Sequence, residues 1–358
     1  MRILVALSGG VDSSVVAHLL KEQGHDLVGV MMKLWTDPLA PEVMRALPTK
    51  CCSVEHIARA RSVCKTLDIP FYVLNLEEEF KTQVVDPFLE EYGKGNTPNP
   101  CINCNRTIKF GTLLKKMEEF GCEKLATGHY ARIHKEADRA CIREAVDTRK
   151  DQSYYLYGLT QEQLGSILFP LGELEKTEVF ALAEKYKVPL YDSYRESQDL
   201  CFFPEKEPSA FLKRYLPPSE SGPIKTLDGK EVGTHEGLPF YTVGQRRGLK
   251  IGGLKIPLYI VRKEQESNTI FVADDGADMQ NELVASNCVW HGNIPDQSGE
   301  VPLTARVHSL GLKTPGRLTR NGDSLHFRFS KGIRGIAPGQ SIVLYDNELV
   351  VGGGVITG

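Results

Sequence analysis

No stretch of this sequence approaches the roughly 20 consecutive apolar residues that a membrane-spanning helix needs. No charged-then-apolar leader opens it: the first apolar run begins at Ile3, leaving no room for a secretory or transit peptide. A cytoplasmic protein with no membrane partner is therefore expected. Net charge is small, −3, so the composition as a whole carries no signature of a nucleic-acid binder. Neither common phosphate loop is present, since GxxxxGK followed by Ser or Thr and GxGxxG both fail to match. Internal repeats and low-complexity segments are absent too, which excludes solenoids and disordered arrays. The nine cysteines are odd in number and scattered, which argues against a secreted disulfide framework and for thiols that are reduced, reactive or metal-binding. A single CxxC, Cys101 to Cys104, has no second pair at zinc-knuckle spacing; Cys51 and Cys52 are the other candidates for such a site.

What is there is a nucleotide loop. Ser8-Gly9-Gly10-Val11-Asp12-Ser13-Ser14 follows the apolar run Ile3-Leu4-Val5-Ala6-Leu7, whose lack of polar alternation predicts a strand buried on both faces. Val15, Val16, Leu19 and Leu20 then recur at helical spacing, opposite His18, Lys21 and Glu22. Strand, Gly-rich turn and helix N-terminus together make an anion site. Adjacent glycines let the backbone approach a bulky oxyanion, and the first helical N–H groups point at it. Ser8, Ser13 and Ser14 add hydroxyls, while Asp12 can cap the helix or help hold a metal on a phosphate. The plain alternative is a Ser/Gly turn that only joins strand to helix.

At 358 residues the chain should form two or three domains. Leu27–Met32 and Phe71–Leu74 read as further buried strands, with a helical pattern from Ile57 to Leu67 between them and a fourth strand at Lys124–Thr127. Such alternation predicts an α/β fold with a doubly wound parallel sheet, whose ligands bind beyond the carboxyl ends of the strands. Asp37–Lys50, with three prolines, reads as an insertion. After about Pro204 short β-rich runs take over, among them Phe240–Val243, Leu258–Val261, Thr269–Val272, Leu325–Phe329 and Ser341–Tyr345. The expected division is a catalytic domain at 1–204, a small β linker domain at 205–276 and a C-terminal β-barrel at 277–358. Between Val301 and Tyr345 seven basic residues face one acid, Asp323, a local charge that suits a polyanion or simply a solvated face.

The thiols in Thr97-Pro98-Asn99-Pro100-Cys101-Ile102-Asn103-Cys104-Asn105 lie in a Pro-punctuated loop that is expected to run into a helix from Arg106. Cys104 beside a helix N-terminus would have its thiolate favoured. Cys201, in Glu196-Ser197-Gln198-Asp199-Leu200-Cys201-Phe202-Phe203, is the other candidate, or else a small buried hydrophobe.

SGGVDSS resembles the pyrophosphate loop of the ATP-pyrophosphatase superfamily, with its adenine nucleotide alpha-hydrolase-like fold. Taken in order with TPNPCINCN-x-x-I-K-F-G, ATGHYAR, KDQSYYL, SQDLCFF and GLPFYTVGQRRGL, it resembles the tRNA-specific 2-thiouridylase family from residue 6 to about 253, and more loosely beyond. The resemblance implies ATP-dependent 2-thiolation of the wobble uridine, position 34, in the tRNAs for Glu, Gln and Lys. AMP is transferred to the C2 oxygen, and sulfur from a cysteine persulfide replaces it. It implies that Ala6, Leu7, Ser8, Gly9, Gly10, Val11, Asp12, Ser13, Met32 and Gly128 bind ATP with Mg²⁺. Cys201 would carry the persulfide and Cys104 would attack it, leaving a Cys104–Cys201 disulfide to be reduced. Asn99, Pro100 and Cys101 would face the target base, and His129, Lys150, Asp151, Gln152 and Gln340 would contact tRNA. A persulfide donor or relay protein would supply sulfur.

Two departures from the family pattern stand out. Cys101 occupies a position where the family commonly has Asp, so Cys101, Cys104 and Cys201 are together candidate ligands of a [4Fe–4S] cluster, an alternative route to the same thiolation. Arg306-Val307-His308-Ser309 replaces the basic-aromatic run expected in the barrel. Two rival functions remain: a carboxylate-adenylating amide ligase of the same superfamily, which needs no paired thiols, and a non-catalytic RNA-binding protein.

Overall fold

The computed structural model describes all residues except 46–53, 137–138, 190–199, 252–256, 275, 277–278, 293, 295, 297–298, 310 and 358. Cys51, Cys52, Lys255, the end of the 37–50 insertion and the Ser197–Asp199 part of SQDLCFF lie outside the described residues. Packing divides the chain into two units. The first comprises Met1–Val84, Pro100–Lys206 and Glu348–Val351; the second comprises Val85–Asn99, Glu207–Asn347 and Gly352–Gly358.

The first unit is built on a five-stranded sheet: β1 (Arg2–Ala6), β2 (Asp26–Lys33), β3 (Phe71–Asn75), β4 (Lys124–Ala126) and β7 (Ile167–Leu168), in the order β3-β2-β1-β4-β7. Every pairing in it is parallel. Ile3, Leu4 and Val5 have no exposed surface, as the unbroken apolar run requires of a central strand covered on both faces. Helix α1 (Val11–Glu22) packs Val15, Val16 and Leu20 into this core, beside Val179 and Ala183 of the helix Lys176–Lys185. Gly29 of β2 lies under the helix Val54–Thr66, where a Cβ would stand 2.5 Å from the Cys64 sulfur and 3.0 Å from Leu7 Cδ1. The chain runs outward from β1 through β2 to β3, then returns to place β4 on β1's other side. The topological switch therefore falls between β1 and β4, where doubly wound sheets bind ligands. A hairpin of β5 (Arg132–Glu136) and β6 (Arg139–Arg143), which the sequence pattern did not reveal, follows β4. Glu348 accepts hydrogen bonds from Arg132 and Arg143, and Leu349 pairs with Arg143.

The second unit holds two β structures. β8 (Gly222–Thr226), β9 (Glu231–His235), β10 (Tyr259–Glu264) and β11 (Thr269–Ala273) form a four-stranded sheet around Ile224, Ile260, Ile270 and Val272. β12 (Gln280–Trp290), β13 (Val301–Arg306), β14 (Thr314–Asn321), β15 (Ser324–Ile333), β16 (Ser341–Asp346) and β17 (Leu349–Ile356) close into a six-stranded barrel through pairing of β12 with β17. This is the α/β fold with a small β domain and a C-terminal barrel that the sequence predicts. Phe240–Val243, however, is not a strand. Gly237 at φ 127° and Pro239, which lacks an N–H, set a short 3₁₀ turn at Leu238–Phe240 instead. Val85–Asn99 also groups with the second unit although it precedes Cys101, because Phe88 of the helix Asp86–Gly93 packs on Phe211 at 6.1 Å between ring centroids.

Candidate active site

The loop after β1 is shaped by its glycines and hydroxyls. Gly9 sits at φ 74°, and a Cβ there would meet the His56 carbonyl oxygen at 2.5 Å, so only glycine fits. The Ser8 amide donates to Ser13 Oγ (3.1 Å), the Gly10 amide to Ser8 Oγ (3.3 Å), and the Ser14 hydroxyl to the Gly10 carbonyl (2.8 Å). Gly10 caps α1 in extended conformation without any side-chain hydrogen bond, so the helix N-terminus is not closed by its own chain's side chains. Asp12 is therefore not the cap. Its carboxylate accepts from Lys176 Nζ at 2.7 and 2.9 Å and from the Tyr130 hydroxyl at 2.8 Å.

Lys176 and Tyr130 were missed from sequence, and each had a signal. Lys176 opens the helix Lys176–Lys185, where a cation opposes the helix dipole. It is only 6 % exposed, its ammonium lies 5.0 Å from the Phe180 ring centroid, and its amide donates to Asp147 Oδ2 (3.2 Å). A buried cation at an unfavourable helix end needs a reason, and Asp12 supplies it. Tyr130 stands in ATGHYAR two residues after Gly128. Its amide donates to Gln152 Oε1 (3.0 Å) while the Gln152 amide donates to its carbonyl (2.8 Å). Asp151 is buried and accepts from the Ala145 and Ser153 amides and the Ser153 hydroxyl. Gln152 thus braces the loop that carries Tyr130, while Asp151 ties Ala145 to Ser153. Lys150 precedes them, its amide donating to the Asp147 carbonyl.

Gly128, just past β4, touches the loop: a Cβ there would lie 3.1 Å from the Ser13 amide nitrogen and 3.2 Å from Asp12 Cβ. The structure therefore brings Ala6–Ser13 and Gly128 together at the switch point. Met32 sits near the carboxyl end of neighbouring β2, opposite Leu74. His129 is packed against Phe110 and Phe169 (5.5 and 5.8 Å between centroids). Its Nε2 lies 3.4 Å from Lys109 Nζ and its Nδ1 2.7 Å from Thr127 Oγ1. An ammonium can only donate, so Nε2 accepts and Nδ1–H donates to Thr127. Burial, reinforced by the Lys109 charge, holds the imidazole pKa well below 6.5, which agrees with that neutral tautomer.

The thiols occupy a helix that starts earlier than expected, at Pro100 rather than Arg106. Its first turn is Pro100–Cys104; wide i→i+5 turns follow at Asn105–Thr112, then α-helix again at Leu113–Glu119. Proline is pre-organised for a first helical position, which explains the early start. Cys104 ends that first turn, buried, and Cys101 is half-buried within it. Such wide turns are frequent at functional sites. The Asn103 side-chain amide donates to the Gln83 carbonyl, and Phe202, next to Cys201, packs edge-on to Phe80 at 5.9 Å. Both cysteine segments are thus tied to one helical stretch, Glu77–Gln83. Among the described residues no group of three or more His, Cys, Asp or Glu is placed to hold a metal ion.

In the second unit Gln340 Nε2 donates to the Thr97 carbonyl (2.7 Å), two residues before Asn99. Arg246 and Arg247 are exposed beside Gln245, whose side chain bonds the Thr242 amide (3.0 Å) and Arg247 carbonyl (2.8 Å). No helix among the described residues is long and apolar enough to cross a membrane.

Three family models match most of the length. One described as a tRNA methyl transferase HUP domain covers residues 1–205, a tRNA methyl transferase PRC-barrel domain 209–274, and an aminomethyltransferase beta-barrel domain 280–356. The tRNA-specific 2-thiouridylase MnmA 1 of Caldanaerobacter subterraneus subsp. tengcongensis is 43% identical over 99% of this chain and 97% of its own. That of Symbiobacterium thermophilum is 41% identical over 99% of this chain and 92% of its own. Among solved structures, the U34-tRNA thiolase NcsA from Methanococcus maripaludis with its [4Fe-4S] cluster is similar at 20% identity and a TM-score of 0.34, over 56% of this chain and 62% of that one. A score that low bears no weight on chemistry.

Proposed function

The chain belongs to the tRNA-specific 2-thiouridylase family, and on that premise we propose how its residues thiolate C2 of the wobble uridine in tRNAs such as those for Glu, Gln and Lys. The observation that carries the reading is the loop at the β1/β4 switch point, with the buried Lys176 ammonium on the Asp12 carboxylate. ATP enters as its Mg²⁺ complex. Backbone amides of the loop and of the first turn of α1 receive the phosphates, with Ser8, Ser13, Met32 and Gly128 around the nucleotide. Lys176 neutralises charge that develops as the α-phosphate passes to the uridine oxygen, which is otherwise a poor leaving group.

The sulfur step uses Cys201 as persulfide carrier. Its terminal sulfur attacks C2 and AMP leaves with the former uridine oxygen. The Cys104 thiolate then attacks the Cys201 sulfur, and the electron pair of the broken S–S bond passes to the sulfur on C2, giving the thiocarbonyl and a Cys104–Cys201 disulfide. A [4Fe–4S] cluster held by Cys101, Cys104 and Cys201 is the alternative route to the same product. Asn99 to Cys101 face the base, while Arg246, Arg247, His129, Lys150–Gln152 and Gln340 contact tRNA. A persulfide-bearing donor reloads Cys201.

The test is mass spectrometry of nucleosides from tRNA treated with ATP and a persulfide donor. Cys104→Ser and Cys201→Ser should each abolish 2-thiouridine while leaving AMP transfer measurable. Thiouridine formation by either variant at the wild-type rate would overturn the roles given to these thiols.

A further inference from the structure

We propose that Cys101 is the resolving thiol that recycles this enzyme, an inference that rests on the persulfide route above. That route leaves Cys104 locked to Cys201, so each turnover ends with both reacting thiols consumed. The helix beginning at Pro100 places Cys101 three residues before Cys104 in one α-helical turn. With a rise of 1.5 Å per residue and a 2.3 Å radius, Cα atoms three apart are about 5 Å distant. That lies inside the roughly 4.4–6.8 Å a disulfide spans.

The Cβ atoms must still close slightly. The turn that has to give is the first of the helix, whose amides have no intrahelical acceptors, and the wide turns from Asn105 begin directly after it. Exposure orders the pair as well: Cys104 is buried, whereas Cys101 is partly open to solvent.

The step is a thiol–disulfide exchange. The Cys101 thiolate attacks the Cys104 sulfur, a Cys101–Cys104 bond forms, the Cys104–Cys201 bond breaks, and the Cys201 thiolate leaves ready to accept another persulfide. No electrons are gained or lost overall. An external dithiol then reduces Cys101–Cys104 from the side of the half-buried Cys101, taking up the oxidising equivalents that the persulfide route generates in any case. A bond held in a helical first turn suits that role, since strained or exposed disulfides are the readily reduced ones.

The experiment is one turnover by full-length protein with tRNA, ATP and a persulfide donor, without reductant, followed by acid quench, thiol alkylation and peptide mapping. The expected product is a Cys101–Cys104 disulfide with Cys201 alkylated. Cys101→Ser should instead trap Cys104–Cys201 and stall after its first burst until a small dithiol is added. Wild-type enzyme that makes thiouridine yet retains Cys104–Cys201 with Cys101 alkylated would overturn the inference and leave the persulfide route standing. Thiouridine formed with no disulfide at Cys104 in either protein would overturn both.

Discussion

Replacing Lys176 by Met separates the stability of the nucleotide loop from its chemistry. Methionine keeps an unbranched apolar stem against Tyr130 and Phe180, whose ring centroids lie 5.5 and 5.0 Å from the ammonium. What disappears is the positive charge that faces the Asp12 carboxylate. Breaking a fully buried ion pair costs about 3–5 kcal/mol because the partner is left uncompensated. Here the Asp12 side chain is 28% exposed and keeps the Tyr130 hydroxyl, so water replaces part of the loss. The cost falls to about 1–2 kcal/mol. In a unit of this size that is a melting shift of about 2–8 °C. Adenylation should fall further, by about 10²–10³-fold, as when one preorganised group facing transition-state charge is removed. Lys176→Arg, which keeps the charge but not the point geometry, should melt near wild type and turn over at an intermediate rate. The assay is tRNA-dependent AMP formation beside a thermal melt monitored by circular dichroism. A folded Lys176→Met protein that forms AMP at the wild-type rate would refute the role.

Two further predictions concern stability. Burial holds the Lys263 ammonium at a pKa of about 8, with the Tyr241 carbonyl as its acceptor at 2.8 Å. Its folded pKa is depressed, so between about pH 8 and 10.5 the unfolded chain binds more protons, and stability rises with pH across that window. Lys263→Met should abolish the rise and stabilise the second unit at pH 7 by about 1–2 kcal/mol, the desolvation relief less one lost hydrogen bond; denaturant titrations at pH 7 and 9.5 would show it. Gly29→Ala should destabilise the first unit by about 1–3 kcal/mol through its clash with Cys64. Adding Cys64→Ala, which removes the clashing sulfur, should recover part of that loss in the same titration, and strict additivity of the two changes would contradict the packing.

The sequence exposed those features whose causes are local. Ile3–Val5 announced a central strand because a run without polar alternation can only be buried on both faces. Ser8–Ser14 announced an anion loop because its glycines and hydroxyls serve no apolar core. Lys176 stayed hidden because its partner lies 164 residues away, although its place at a helix N-terminus was a clue. The grouping of Val85–Asn99 with the second unit depends on the contact of Phe88 with Phe211, which no periodicity encodes. Phe240–Val243 has strand composition, yet Gly237 and Pro239 decide otherwise. The helix start was misjudged because Pro100 was read as a breaker, when proline also suits a first helical position. The contacts of His129 with Thr127 and Lys109 are an arrangement that composition could not show.

The central claim is that AMP is placed on the uridine oxygen before sulfur arrives, and isotope tracing reads it directly. A tRNA carrying ¹⁸O at C2 of the wobble uridine, treated with ATP and a persulfide donor, should yield AMP with one ¹⁸O in its phosphate for each 2-thiouridine formed. Unlabelled AMP beside a full yield of thiouridine would contradict the account.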